Sequence, residues 1–170
     1  MSKGNITLNN IRAEKNSTGY ETILLDNCLE DSITNLCQGS GSVSILNSLG
    51  PNIIMNNNAT SASLSIFSHG TVTLNGVVDD YNQSGATVRN VYGTAAVTIS
   101  KSSFSRNSSA GGLNVLAAGK ITLTSVNASY NFGPTGFGAS LMNLGAPPNT
   151  PAPPSPSAKA FSTLTAILVC

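Results

Sequence analysis

The stretch that decides the fold is Gly119-Lys-Ile-Thr-Leu-Thr-Ser-Val-Asn-Ala-Ser-Tyr-Asn131. Ile121 and Leu123 flank Thr122, the alternation of a half-buried strand. Asn131 stands eight residues after Leu123. The same unit begins at Gly4 and Gly70, and a variant begins at Gly93. Leu8 is followed at eight by Asn16, Leu74 by Asn82 and Ile99 by Asn107. From Val72 to Val97 is 25 residues, and from Val97 to Ile121 is 24.

A unit of two or three short strands cannot bury its own apolar face. Stacking copies buries a continuous column, each strand pairing with its equivalent about 4.8 Å along the axis. The spacing therefore predicts an all-β solenoid of about five coils over residues 1–145. Leu8, Leu74, Ile99 and Leu123 are expected to form one inward ladder. Asn16, Asn82, Asn107 and Asn131 are expected at turns, in the left-handed region, each amide bonded to the amide stacked beside it. Gly4, Gly70 and Gly119 relieve a second corner.

Second strands are expected at Thr22–Asn27, around Leu64 and Ile66, and at Ala86–Asn90, Gly112–Ala117 and Ala139–Asn143. The coil starting at Val43 is the least regular. Leu49-Gly50-Pro51 imposes a turn, and Asn56-Asn57-Asn58 stands where the other coils have one asparagine. Residues 26–42 break the pattern and read as an excursion. They contain Cys28, Cys37 and the turn-forming Gln38-Gly39-Ser40-Gly41. The two cysteines either close a small disulfide loop in an oxidising compartment or stand as separate thiols. Residues 146–160 are a Pro-rich linker, since proline cannot donate to a ladder. The apolar tail 161–170 is too short to span a bilayer. It is a truncated anchor, a strand that caps an edge, or a misread gene end.

Gly-x-Ile-Thr-Leu-x-x-Val-x-Ala-x-x-Asn followed by Gly-Ala-x-Leu-x-Asn resembles the repeats of right-handed parallel β-helices, as in the pectin-lyase-like superfamily and many bacterial surface proteins. The resemblance covers residues 4–145. It implies a right-handed coil and a piece of a longer secreted or cell-surface protein, because the repeat starts at the first residues without a signal peptide. It does not imply one activity: the same coil serves lyases, hydrolases, epimerases, tailspikes and adhesins.

Composition narrows the classes. Only 9% of residues are charged and the net charge is +1, which argues against a nucleic-acid binder that works by neutralising phosphates. Asp79 and Asp80 are the only adjacent carboxylates in the repeat region's regular part, and paired acids serve glycosidases. The rest of a polygalacturonase signature is missing, so a local turn role competes with catalysis. His69, the only histidine, reads as a solvated turn residue without metal-ligand partners. Lys15, Tyr81, Arg106 and Tyr130 each precede a ladder asparagine. They form an expected surface stripe that either contacts glycan or shields a corner by cation–π packing. Sequons at ladder asparagines such as Asn82 and Asn107 are read as unglycosylated, since a sugar would disturb a packed ladder.

The sequence thus reads as a non-catalytic, structural or adhesin-like solenoid at the cell surface, without cofactor or metal, with possible weak carbohydrate binding. The alternative is a fragment of a polysaccharide lyase or glycoside hydrolase with an incomplete site. Expected partners are glycans, neighbouring coils of a longer chain, or a second copy stacked end to end through open strand edges. Neither nucleic acid nor a membrane span is expected.

Overall fold

The computed structural model describes residues 3–17, 20–28, 37, 39–55, 58–133 and 136–145. The proposed linker 146–160, the tail 161–170, Asn56 and Asn57 lie outside the described residues.

The chain is an all-β parallel solenoid of five stacked layers. Strands β1 (Ile6–Asn9), β4 (Val43–Leu46), β7 (Val72–Asn75), β10 (Val97–Ser103) and β12 (Ile121–Asn127) pair in parallel along one face. Strands β2 (Arg12–Glu14), β5 (Asn52–Met55) and β8 (Val77–Val78) form a second face, joined to the end of β10. The third face is β3 (Glu21–Asp26), β6 (Ala62–Phe67), β9 (Ala86–Asn90), β11 (Leu113–Ala117) and β13 (Ala139–Asn143). The first two faces are one continuous sheet because β10 and β12 run through the corner between them.

Register fixes the core. Leu8, Ile45, Leu74, Ile99 and Leu123 pair in sequence, so the expected ladder is present with Ile45 inserted between Leu8 and Leu74. Ile6, Val43, Val72, Val97 and Ile121 form the next column. On the third face Leu64, Ala86 and Leu113 stack beside Ile66, Val88 and Val115. All of these except Ile6 and Leu8 are buried, and Val43 through Ile99 in these columns are wholly so. Each wholly buried Leu or Ile contributes about 1.5–3 kcal/mol relative to leaving it in water. Thr, Ser and Asn alternate with them on the outer surface, which is why so few charges suffice.

Two departures lengthen the early coils. One is the excursion 26–42, of which residues 29–36 and 38 lie outside the described residues; Asp26 at its start pairs within β3, and Gly41 near its end packs directly on the Gly4 backbone. Residues 47–51 extend the first corner of the second layer, held by Asn9 and Asn10 side chains that accept from Ser48 and Leu49. That extension puts Asn52 at an inward position held in the other layers by Ile11, Val77, Ser102 and Val126. Its amide accepts from Ile11 N–H at 3.0 Å and donates to the Leu46 carbonyl at 2.9 Å.

The corners correct two expectations. Gly4, Gly70 and Gly119 do not have positive φ. At Gly70 and Gly119 a Cβ would strike backbone of the adjacent layer, Gly41 and Ala95 respectively. The Gly93 unit is out of register: two residues before Val97 the fourth layer has Ala95, and Gly93 instead lies against the His69 ring. The left-handed corner after the first strand is taken by Asn10, Gly76, Lys101 and Ser125, with φ of 52, 63, 51 and 54°. Gly76 also has Asn47 packed where a Cβ would point. Gly76→Ala is therefore expected to lose about 2 kcal/mol, from αL strain plus collision. Thermal unfolding checks this; an unchanged midpoint would remove the packing argument.

Candidate functional site

The second corner, where each coil turns from the second face to the third, holds every stripe residue. Its left-handed positions are Lys15, Tyr81, Arg106 and Tyr130, with φ of 58, 60, 59 and 54°. The asparagines that follow do not take that conformation, contrary to expectation. Their role is bridging. Asn82 N–H donates to Asn107 Oδ1 at 2.9 Å, and Asn107 N–H donates to Asn131 Oδ1 at 3.0 Å. In return each Nδ2 reaches back to a carbonyl of the preceding layer: Asn82 to Ile54, Asn107 to Asp79 and Asn131 to Phe104. Amide-to-amide bonds of the expected kind occur at Asn16–Asn58 (2.9 Å) and Asn58–Asn82 (2.8 Å). Asn58 thus takes the ladder place in the second layer. Asn82 and Asn107 are buried, which leaves their sequons no room for a glycan.

With its asparagine clamped inward, each preceding side chain is thrown outward. The Arg106 guanidinium carbon lies 5.2 Å from the centre of the Tyr81 ring on one neighbouring layer and 5.7 Å from that of Tyr130 on the other. Tyr130 is 68% exposed and Tyr81 45%. Lys15 makes no ring contact with them among the described residues. Beside the stack is a shallow groove of about 440 Å³ lined by Asn58, Tyr81, Gln83, Arg106, Ser108 and Ser109 among others. No carboxylate lines it.

Asp79 and Asp80 part company. Continuing the register from Ile54 and Phe104, Asp79 occupies an inward position and has no exposed surface. Ser63 Oγ is 2.5 Å from its Oδ2, and Asn82 Nδ2 donates to its Oδ1 at 2.6 Å. Burial pushes its carboxyl from 3.8 up to about 8, the two hydrogen bonds offsetting part of that rise and the neighbouring Asp80 adding to it. Asp80 faces the next layer. It accepts from Ser103 Oγ at 2.8 Å and from Ser105 N–H at 2.7 Å. One acid is sealed in the core and the other is consumed in joining layers, so they do not flank a substrate path.

Cys28 and Cys37 are joined as a disulfide, with Cα atoms 4.7 Å apart. His69 is half-buried rather than solvated, its Nδ1 2.9 Å from the Gly39 carbonyl. Among the described residues no group of His, Cys, Asp or Glu is placed to hold a metal ion. No helix among them is long and apolar enough to cross a membrane.

Sequence reasoning missed the asparagines of the third corner. Asn27, Asn90 and Asn143 donate to the carbonyls of Gly4, Gly70 and Gly119, which open their own coils, and Asn27 and Asn90 also donate to Gly41 and Ala95 at the start of the next. The terminal asparagine of Gly-Ala-x-Leu-x-Asn was the available signal.

Comparison with protein-family models, curated proteins and solved structures found no match. The class that the fold defines is a parallel β-solenoid, with no helix among the described residues and an aromatic–basic stack on one corner.

Proposed function

We propose that this chain is a non-catalytic solenoid segment of a secreted or cell-surface protein of the pectin-lyase-like kind. It is structural and adhesin-like, and it binds carbohydrate weakly at the Tyr81–Arg106–Tyr130 corner. The observation that carries this reading is the stack itself. Large rings stay exposed on a rigid ladder, where burying them against a sugar ring costs little conformational entropy. The enclosure of Asp79 supports the non-catalytic part. The Cys28–Cys37 disulfide suits an oxidising compartment. Strands β12 and β13 pair on one side only among the described residues, and Met142 and Leu144 beside that edge are exposed. Such an edge suits a neighbouring coil or a second copy.

Affinity electrophoresis against a panel of polysaccharides tests the reading. Retardation that Tyr130→Ala abolishes is the expected result, with thermal stability lowered by less than about 1 kcal/mol. Failure to be retarded by any glycan would overturn the binding role. Release of new reducing ends, lost in Asp80→Asn, would overturn the non-catalytic role.

A further inference from the structure

We infer that the corner takes a tetrahedral oxyanion borne on a sugar, a sulfate or phosphate ester, with Arg106 as the anion-binding group. The inference rests on the carbohydrate reading above and adds the charge and shape of the ligand.

Arg106 carries it. Its guanidinium carbon lies between the Tyr81 and Tyr130 rings of the two neighbouring layers, 5.2 and 5.7 Å from their centres. The guanidinium carries five N–H donors in a planar fork. Among the described residues they meet no acceptor and no carboxylate: the single ion pair there is Arg12 with Glu14. A guanidinium flanked by two rings and left without an acceptor is placed to receive an anion.

The surroundings agree in sign. All 7 acids of the chain lie at or before Asp80, whereas Arg89, Lys101, Arg106 and Lys120 follow it in the solenoid. The last two layers therefore carry basic side chains only, and the nearest acid, Asp80, is buried and engaged by Ser103 Oγ and Ser105 N–H.

The flanking donors bear on shape. Ser108 Oγ and the Gln83 amide line the same groove and make no side-chain bond among the described residues. Ser109 Oγ is already spent on the Gln83 carbonyl at 3.1 Å. Arg106, Ser108 and Gln83 thus approach the groove from different residues on two layers. A planar carboxylate is satisfied by the arginine fork alone. A tetrahedral oxyanion has further oxygens for the hydroxyl and the amide, while its sugar ring lies on the exposed Tyr130 or Tyr81 ring.

The test uses the full 170-residue chain and four probes with one backbone: dextran sulfate, dextran phosphate, carboxymethyl dextran and unmodified dextran. Retardation by the sulfate or phosphate polymer is expected at concentrations about tenfold lower than for carboxymethyl dextran. The ratio between those two probes identifies which ester is preferred. Arg106→Gln and Arg106→Lys should each weaken binding about tenfold, since lysine keeps the charge and loses the fork. Both variants are checked for an unchanged unfolding midpoint. Lys101→Gln, on another corner, should leave binding within about twofold. Equal binding of unmodified dextran would overturn the anion assignment and leave the carbohydrate reading standing. Equal binding of carboxymethyl dextran would overturn the tetrahedral ligand. Equal loss in Lys101→Gln would overturn the site in favour of diffuse attraction. Binding of none of the four would overturn the inference, while the carbohydrate reading is overturned separately by failure across the wider polysaccharide panel.

Discussion

Asp79→Asn is expected to be more stable than the parent chain above pH 8, by an amount on the order of 6 kcal/mol at most. The expectation follows from an acid with no exposed surface whose carboxyl is raised by burial from 3.8 to about 8. In the unfolded chain this group ionises near 3.8, so folding at neutral pH must take up a proton. Below pH 4 the carboxyl is neutral in both states and folding meets no penalty from it. Between pH 4 and pH 8 that stability is progressively lost, and above 8 the folded state contains a buried charge. Each tenfold change in proton concentration is worth about 1.4 kcal/mol, which sets the ceiling given above. Asparagine fits the same contacts. Its Oδ1 can accept from Asn82 Nδ2 and its amide can donate to Ser63 Oγ, the atoms now 2.6 and 2.5 Å away. Urea unfolding of both chains at pH 4, 6 and 9 is the measurement. The two curves should meet at pH 4 and diverge as the pH rises. Parallel curves, or a variant that loses stability at every pH, would place the acid outside the core and return it to consideration as a surface group.

The register of the coils was legible because burial has a short memory in a strand: Val72, Leu74, Val97, Ile99, Ile121 and Leu123 declare an inward face within four residues of one another, and the interval between copies does the rest. Corner chemistry was harder to see. Asparagine and glycine both signal turns, yet neither type alone says why. The left-handed φ falls on Tyr81, Arg106 and Tyr130, residues with no preference for it, because the adjacent asparagines bridge layers and leave their predecessors to absorb the bend. Asp79 was misjudged for a related reason. Its column also holds Ile54 and Phe104, but a lone acid in such a column looks like a site or a bulge until Ser63 and Asn82 are seen around it. Ser63 arrives from β6, 16 residues away, a separation that no local pattern reports, and Asn82 from the corner 3 residues on. The Tyr–Arg–Tyr stack was partly visible from spacing, because residues one place before successive ladder asparagines fall on neighbouring layers.

Removing the Asn82 side chain is expected to cost about 3–4 kcal/mol, the largest loss for any single ladder position. Four groups lose a partner at once in Asn82→Ala. The Ile54 carbonyl loses a donor at 2.9 Å, the Asp79 carboxyl one at 2.6 Å, and the Asn58 amide its acceptor at 2.8 Å; Asn58 N–H loses a longer contact at 3.4 Å. All lie at a buried corner where water does not replace them. Asn131→Ala is the comparison. That residue is half-buried at the last described layer, bonding the Phe104 carbonyl at 3.0 Å and accepting from Asn107 N–H at 3.0 Å, and its loss should cost only about 1 kcal/mol. In a solenoid whose stability is a sum of neighbour terms, the gap between the two variants measures interior against terminal coupling. Asn82 also holds down the pKa of Asp79, so the cost of Asn82→Ala should grow with pH in the parent and stay constant in an Asp79→Asn background. Equal effects at Asn82 and Asn131, independent of pH, would mean that the asparagines merely occupy the corners and that apolar stacking alone aligns the coils.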